Sequence, residues 1–287
     1  MKKTNFNLKS LVLLTLLSLL AFSCSQEADT LNEEDTDFEV VQDDATADAA
    51  FDAIDYEVQR IMNADEGGRE SAGTGERAED PCAVITFDLP NKTVTVNFGD
   101  ENCEGLDGKM RRGKIMITYT GKFRDQNASS AVTFVDFFVN DHQLEGTRTI
   151  SNIGANAEGY LQQQITLVNG KITLTNGKTI TREANWTRTW IRGSNPSEDE
   201  YLHEGSASGS TRNGITFTVE ITEPLKRKRA CFAERIPFPV EGSKTITATN
   251  SEGATFIRTV DYGNGECDNL VMVTRNGNGP FEVALQR

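Results

Sequence analysis

The stretch HEGSASGS, His203 to Ser210, holds a histidine, an acid and three serines, the side-chain types of nucleophilic hydrolysis. The centre of Gly205-Ser206-Ala207-Ser208-Gly209 is Ala207, so the strained G-x-S-x-G elbow that exposes a nucleophile is missing. GNGECD and GNGPFE lack the third glycine and the following helix of a dinucleotide loop. Glycosidase carboxylates meet only in space and leave no spacing to read. The expectation is a protein that is not an enzyme. The alternative is a hydrolase acting on envelope or environmental polysaccharide.

Binding chemistry is better represented. In NWTRTW an extended backbone puts Trp186, Arg188 and Trp190 on one face, with Thr187 and Thr189 on the other. Exposed, that face would stack sugars or hold an anion, with Arg188 available for cation–π contact. Buried, it is core. KRKR, Lys226 to Arg229, could meet an anion, or keep an edge strand from pairing. Asp100, Glu101, Glu104, Asp107, Asp261, Glu266 and Asp268 lie in glycine-rich turns and could offer hard oxygens to calcium, but not at EF-hand spacing. No cofactor is expected beyond a covalent lipid.

These candidates need a framework of strands. From Cys82 onward, short alternating runs rich in Thr, Val and Ile are separated by turn residues, as in Lys92–Phe98, Ala131–Val139 and Ile215–Thr222. Asn-Gly recurs at 169, 176, 213, 264, 276 and 278 and predicts tight hairpin turns, two of them within LVNGKITLTNGK. The pattern predicts an all-β domain over residues 82–287, an antiparallel meander forming a sandwich or a strongly curved open sheet.

VNFGDENCE, Val96 to Glu104, and VDYGNGECD, Val260 to Asp268, align without a gap. Each follows a candidate hairpin and precedes a strand, so the domain is expected to carry two related terminal units. Cys82, Cys103, Cys231 and Cys267 then favour bridges 82–103 and 231–267, each bracketing its own hairpin. Zinc is the weaker alternative, since there is no Cys-x-x-Cys and only His142 and His203 could assist.

Ahead of the strands, Phe51, Ile54, Val58, Ile61 and Met62 recur at three- and four-residue spacing and predict one amphipathic helix over residues 43–63. Asp43, Asp44 and Asp48 would sit at its start and complement its dipole. Glycine-rich residues 64–81 read as a flexible linker and acidic residues 24–42 as a tether. The chain's net charge of -14 resides almost wholly between residues 25 and 81, leaving the β domain nearly neutral. A nearly neutral body argues against nucleic acid as a partner.

Lys2, Lys3 and Lys9 lead into an apolar run, Leu11 to Phe22, too short to span a membrane and shaped like a secretory signal. The run ends at Ala21-Phe22-Ser23-Cys24, which resembles the lipobox of bacterial lipoproteins, although the family prefers Leu where Ala21 stands. The resemblance implies a signal peptide of residues 1–23 and lipidation at Cys24, with a diacylglyceryl group on the thiol and a palmitate-type chain on the new amine. Ser25 in place of Asp is similar to outer-membrane sorting, and the acidic residues after it to a surface-export signal. With stretches such as KIMITYTGKFRD, HEGSASGSTRNG and VDYGNGECDN, the whole chain resembles Bacteroidota outer-membrane lipoproteins, a group that supplies no catalytic residues to transfer. The implied protein is lipid-anchored in the outer membrane, facing the periplasm or the cell surface. It has a binding or structural role, with carbohydrate or an envelope protein as ligand.

Overall fold

A computed structural model describes residues 33–66, 82–105 and 108–286. The expected signal peptide, Cys24, the tether up to residue 32 and the linker from residue 67 lie outside the described residues, as does Asp107.

The first described element is helix α1 (Glu33–Glu66), whose described side chains run from Phe38 to Met62. The chain then forms strands β1 (Val84–Asp88), β2 (Thr93–Asn97), β3 (Cys103–Glu104), β4 (Met110–Tyr119), β5 (Ser129–Val139), β6 (His142–Ala155) and β7 (Leu161–Thr173). Next come β8 (Thr179–Ile191), a 3-10 turn at Pro196–Glu198, β9 (Glu200–Ser210), β10 (Thr216–Lys228) and the short helix α2 (Arg229–Ala233). The chain ends with β11 (Glu241–Thr249), β12 (Thr255–Asn264), β13 (Leu270–Arg275) and β14 (Asn278–Ala284).

The domain is therefore all-β, a single antiparallel sheet in which each strand pairs with its neighbour in sequence; only β3 stands off the path, paired to β4. Asp37 to the C-terminus forms one compact unit. Among the described residues no helix is long and apolar enough to cross a membrane.

The sheet has a line of irregularities. Register shifts occur at Arg112/Lys114 in β4, Glu145/Thr147 in β6, Leu167/Gly170 in β7, between Glu220 and Leu225 in β10 and at Glu241/Ser243 in β11. A bulge bends its strand and raises local twist. Glycines mark the line because backbone crosses backbone there: a Cβ on Gly205, at φ +126, would stand 2.3 Å from the Asn185 carbonyl oxygen. Asn169-Gly170, expected as a turn, is one of these bulges. β7 runs straight through it, with Asn169 at φ 54 against Gly146 of β6. Asn176-Gly177 is a true turn and closes β7 on β8.

Two expected boundaries move. Residues 33–42 belong to α1 rather than to an extended tether, and 64–66 to its last turn rather than to the linker. α1 is not amphipathic in the ordinary sense, because from Glu39 to Met62 every side chain is buried or half-buried. KRKR does not guard an edge, since β10 lies between β9 and β11.

In the two aligned segments Val96 and Val260 are fully buried and Phe98 and Tyr262 nearly so, and each segment includes the second strand of a hairpin, β1–β2 or β11–β12. The disulfides Cys82–Cys103 and Cys231–Cys267 bridge Cα atoms 5.5 and 5.3 Å apart, each tying the segment before a hairpin to the loop after it.

Replacing Gly205 by Ala adds both a forbidden φ and a backbone clash, so we expect a loss of about 3 kcal/mol. Gly214→Ala, at a turn with open space around it, should lose only about 1 kcal/mol. Urea unfolding of the two variants measures the difference.

Candidate functional site

Two faces of the sheet carry distinct chemistry. On the inner face, strand alternation aims Arg148 of β6, Arg182 and Arg188 of β8, Arg227 of β10 and Lys244 of β11 at α1, and all five are buried. The helix answers with Asp44, Asp48, Asp52 and Asp55, a second stripe at helical spacing beside the apolar one.

Arg148 grips Asp55 with two parallel bonds, Nε to Oδ1 at 2.6 Å and Nη2 to Oδ2 at 2.8 Å, and reaches Asp52 at 2.9 Å. Arg227 meets Asp52 at 2.7 Å. Arg182 joins both Asp44 and Asp48, as does Lys244, whose Nζ lies 3.1 Å from Asp48. Arg188 donates to Gln163 Oε1 at 3.0 and 2.7 Å and stands 3.4 Å from Asp55.

At the helix's earlier end, Asp43 accepts from the Arg212 backbone and guanidinium, and Glu39 from Thr211 and Asn213. Gln42 exchanges bonds with Gln286 near the C-terminus. Apolar contact fills the remainder, including Phe51 against Phe134 and Tyr56 stacked on Phe232.

The network fixes protonation. Burial alone would raise the Asp48 carboxyl, but Arg182, Lys244 and Arg227 outweigh it and hold the group well below the usual carboxylate range. Asp52 is lowered in the same way, burial being overcome by Arg227 first and by Arg148. Burial pushes His203 down to about 3, with Arg227, Arg188 and Arg148 adding to the effect against the opposing Asp52. His203 is thus a neutral core residue. Ser206 and Ser208 stand on the opposite face of β9 from it, so no hydrolytic relay joins them.

Trp186, Arg188 and Trp190 share a face as expected, but that face is the inner one, where each is about 95 % buried. Trp190 packs on Tyr201, and Arg182 lies over Trp186. A solvent-facing stacking platform at these residues is therefore corrected to a core layer beside the ion network. KRKR is likewise consumed: Arg227 by Asp52, Lys226 by Glu241, Lys228 by the Gly265 carbonyl and Arg229 by the Tyr56 ring. In the cysteine loops Asp261 and Asp268 accept bonds from the turns that follow them, and Glu104 pairs with Arg235. Among the described residues, no group of three His, Cys, Asp or Glu side chains is placed to hold a metal ion.

The outer face carries an open hollow of about 580 Å³ across β7 to β11. Its floor is short and polar, with Ser206 and Ser208 of β9, Thr218 of β10, and Thr245 and Thr247 of β11. Glu183 and Glu220 supply carboxylates and Val168, 49 % exposed, an apolar edge. The bulge at Asn169 orients one wall, its N–H donating to Glu183 Oε1 at 2.8 Å. Asn185 Oδ1 accepts from Gln164. Among the described residues the lining holds no base and no aromatic ring. Sequence reading missed the hollow because it draws on alternate positions of five strands. The only local signal was the run of Ser and Thr on those strands.

Comparison with known proteins finds no matching family model, no matching curated protein and no matching solved structure.

Two outcomes follow from the network. Arg148→Met leaves two buried carboxylates under-partnered and should cost about 3–5 kcal/mol. Adding Asp55→Leu should recover part of that loss, giving a coupling of at least about 1 kcal/mol in a double-mutant cycle read by chemical denaturation.

The second outcome is pH dependence. An unfolded histidine takes its proton near 6.5, whereas folded His203 resists until about 3. Between these values the unfolded chain binds more protons, so stability falls with falling pH by up to about 1.4 kcal/mol per unit. Asp48 and Asp52, lowered in the fold, add their losses only below the ordinary carboxylate value of 3.8. His203→Gln should flatten the decline between pH 6.5 and 3.8, as measured by denaturant midpoints across that range.

Proposed function

We propose that this chain is a lipid-anchored protein of the bacterial outer membrane that binds an envelope partner through the hollow on its outer face. The observation that carries the reading is the filled interior. A strongly curved open sheet, rather than a sandwich, accounts for one helix meeting side chains from β5, β6 and β8 to β11 of a single strand path. The concavity such a sheet would otherwise offer a ligand is occupied by α1, with its acids matched to strand cations. Binding therefore falls to the outer face, where the hollow across β7 to β11 is within the size range of ligand sites.

The anchor rests on the lipobox-like residues ending at Cys24 and the apolar run before them. Several acyl chains hold far more firmly than one, at about 0.8 kcal/mol per buried methylene. A partner protein is favoured over a carbohydrate because the hollow lacks the aromatic face on which sugars stack, both tryptophans being turned inward.

A photo-cross-linking amino acid at Thr218 of the full chain, expressed in its native envelope, tests both parts. The expected result is a discrete protein adduct that the same amino acid at Thr255, outside the hollow, does not give. The mature N-terminus of the same preparation should carry lipid on Cys24. No adduct at 218 overturns the binding role, and an unmodified N-terminus overturns the anchor.

A further inference from the structure

Charge is sorted across the strands that form the hollow. On β8, Arg182 and Arg188 face α1 while Glu183 faces out; on β10, Arg227 faces α1 while Glu220 faces out. The register that delivers cations to the helix leaves carboxylates and hydroxyls on the other side, with no base in the lining to neutralise them. An exposed concavity of one sign raises the local concentration of ligands of the other sign.

The spacing of the two carboxylates is set by the ladder. Glu183 pairs with Ser208 and Glu220 with Ser206, so they stand two strands and two residues apart. Their backbone positions are therefore about 12 Å apart. An extended chain places residues i and i+4 on one face at about 13 Å. Between them, residue i+2 would lie over the hydroxyl floor, while Val168 offers a small apolar contact at the rim.

We propose that the hollow receives an extended, cationic segment of a partner protein, with two Lys or Arg residues four positions apart meeting Glu183 and Glu220. This rests on the hollow being the binding site and adds the chemistry of what enters it.

The test uses the full mature chain in detergent and a Ser/Thr-rich peptide with two lysines four residues apart. Its controls are the same peptide with glutamates and one with lysines adjacent, and binding is followed by NMR shifts of hollow residues. The lysine peptide should bind, about threefold more weakly to Glu183→Gln or Glu220→Gln and about tenfold more weakly to the double variant. Affinity should fall with added salt. Both variants are exposed substitutions, and unchanged melting curves verify that they fold.

Equal binding of the lysine and glutamate peptides, or affinity untouched in the double variant, overturns the proposal. So does binding of a neutral oligosaccharide in the hollow while the lysine peptide is silent. An adduct at position 218 that survives in the double variant would leave the hollow as a binding site and remove its preference for cations, whereas loss of the adduct in that variant supports the preference.

Discussion

Burying a charge is tolerated only when an opposite charge and enough hydrogen bonds are buried with it. α1 brings Asp44, Asp48, Asp52 and Asp55 into the interior, and the sheet meets them with Arg148, Arg182, Arg188, Arg227 and Lys244. Replacing such a set by apolar residues can be neutral, but leaving one member alone is severe. The network therefore acts mainly on which arrangement is allowed. A one-residue slip of β8 would turn Arg182 and Arg188 outward and bring Glu183 against the helix acids. The order of side chains on the outer face, hollow included, is the complement of that constraint.

Strands far apart in the sheet path meet one helix, from Phe134 of β5 to Lys244 of β11. Register shifts on β4, β6, β7, β10 and β11 lie at or beside Gly113, Gly146, Gly170, Gly205 and Gly242, where an added Cβ would meet backbone at under 3 Å, and a bulge bends its strand. The disulfides lie outside this line, Cys82–Cys103 around the β1–β2 hairpin and Cys231–Cys267 around the β11–β12 hairpin. The bulges fall on strands near the ion network, while each bridge ties the segment before a hairpin to the loop after it.

How much of this was legible depends on the range of the interaction. The alternating strands and the apolar spacing of α1 from Phe51 to Met62 are local patterns and read correctly. The disulfide pairs followed from an internal repeat, which is also visible in one dimension. The first turns of α1 did not read as helix, since acids at 33–39 without apolar spacing look like a solvated tether and the partners of Glu39, Thr211 and Asn213, are over 170 residues away. Asn-Gly at 169 and at 176 are the same dipeptide. The first is a bulge, its backbone lying against Gly146 of β6 on one side and against the Arg182 carbonyl of β8 on the other. KRKR looked like an edge device because alternation on an interior strand gives the same letters when every second cation meets a buried acid. The hollow has no signature in any one strand.

The placement of α1 ahead of all the described strands imposes an order on folding. The helix is synthesised first, but its partners arrive late: Asp55 waits 93 residues for Arg148, Asp48 waits 196 for Lys244 and Gln42 waits 244 for Gln286. Contacts of such sequence separation form slowly, because long loops must close before any of them can contribute. An α1 that pre-formed as a helix would keep its acids in water during that interval, and their mutual repulsion would keep it soluble. A helix apolar on that stripe as well would have little to hide against until the strands that cover it appeared, from Phe134 of β5 to Lys244 of β11. Seen this way, the buried acids solve a problem of timing: they make the future core of the protein safe to expose while the sheet that will enclose it is still being made.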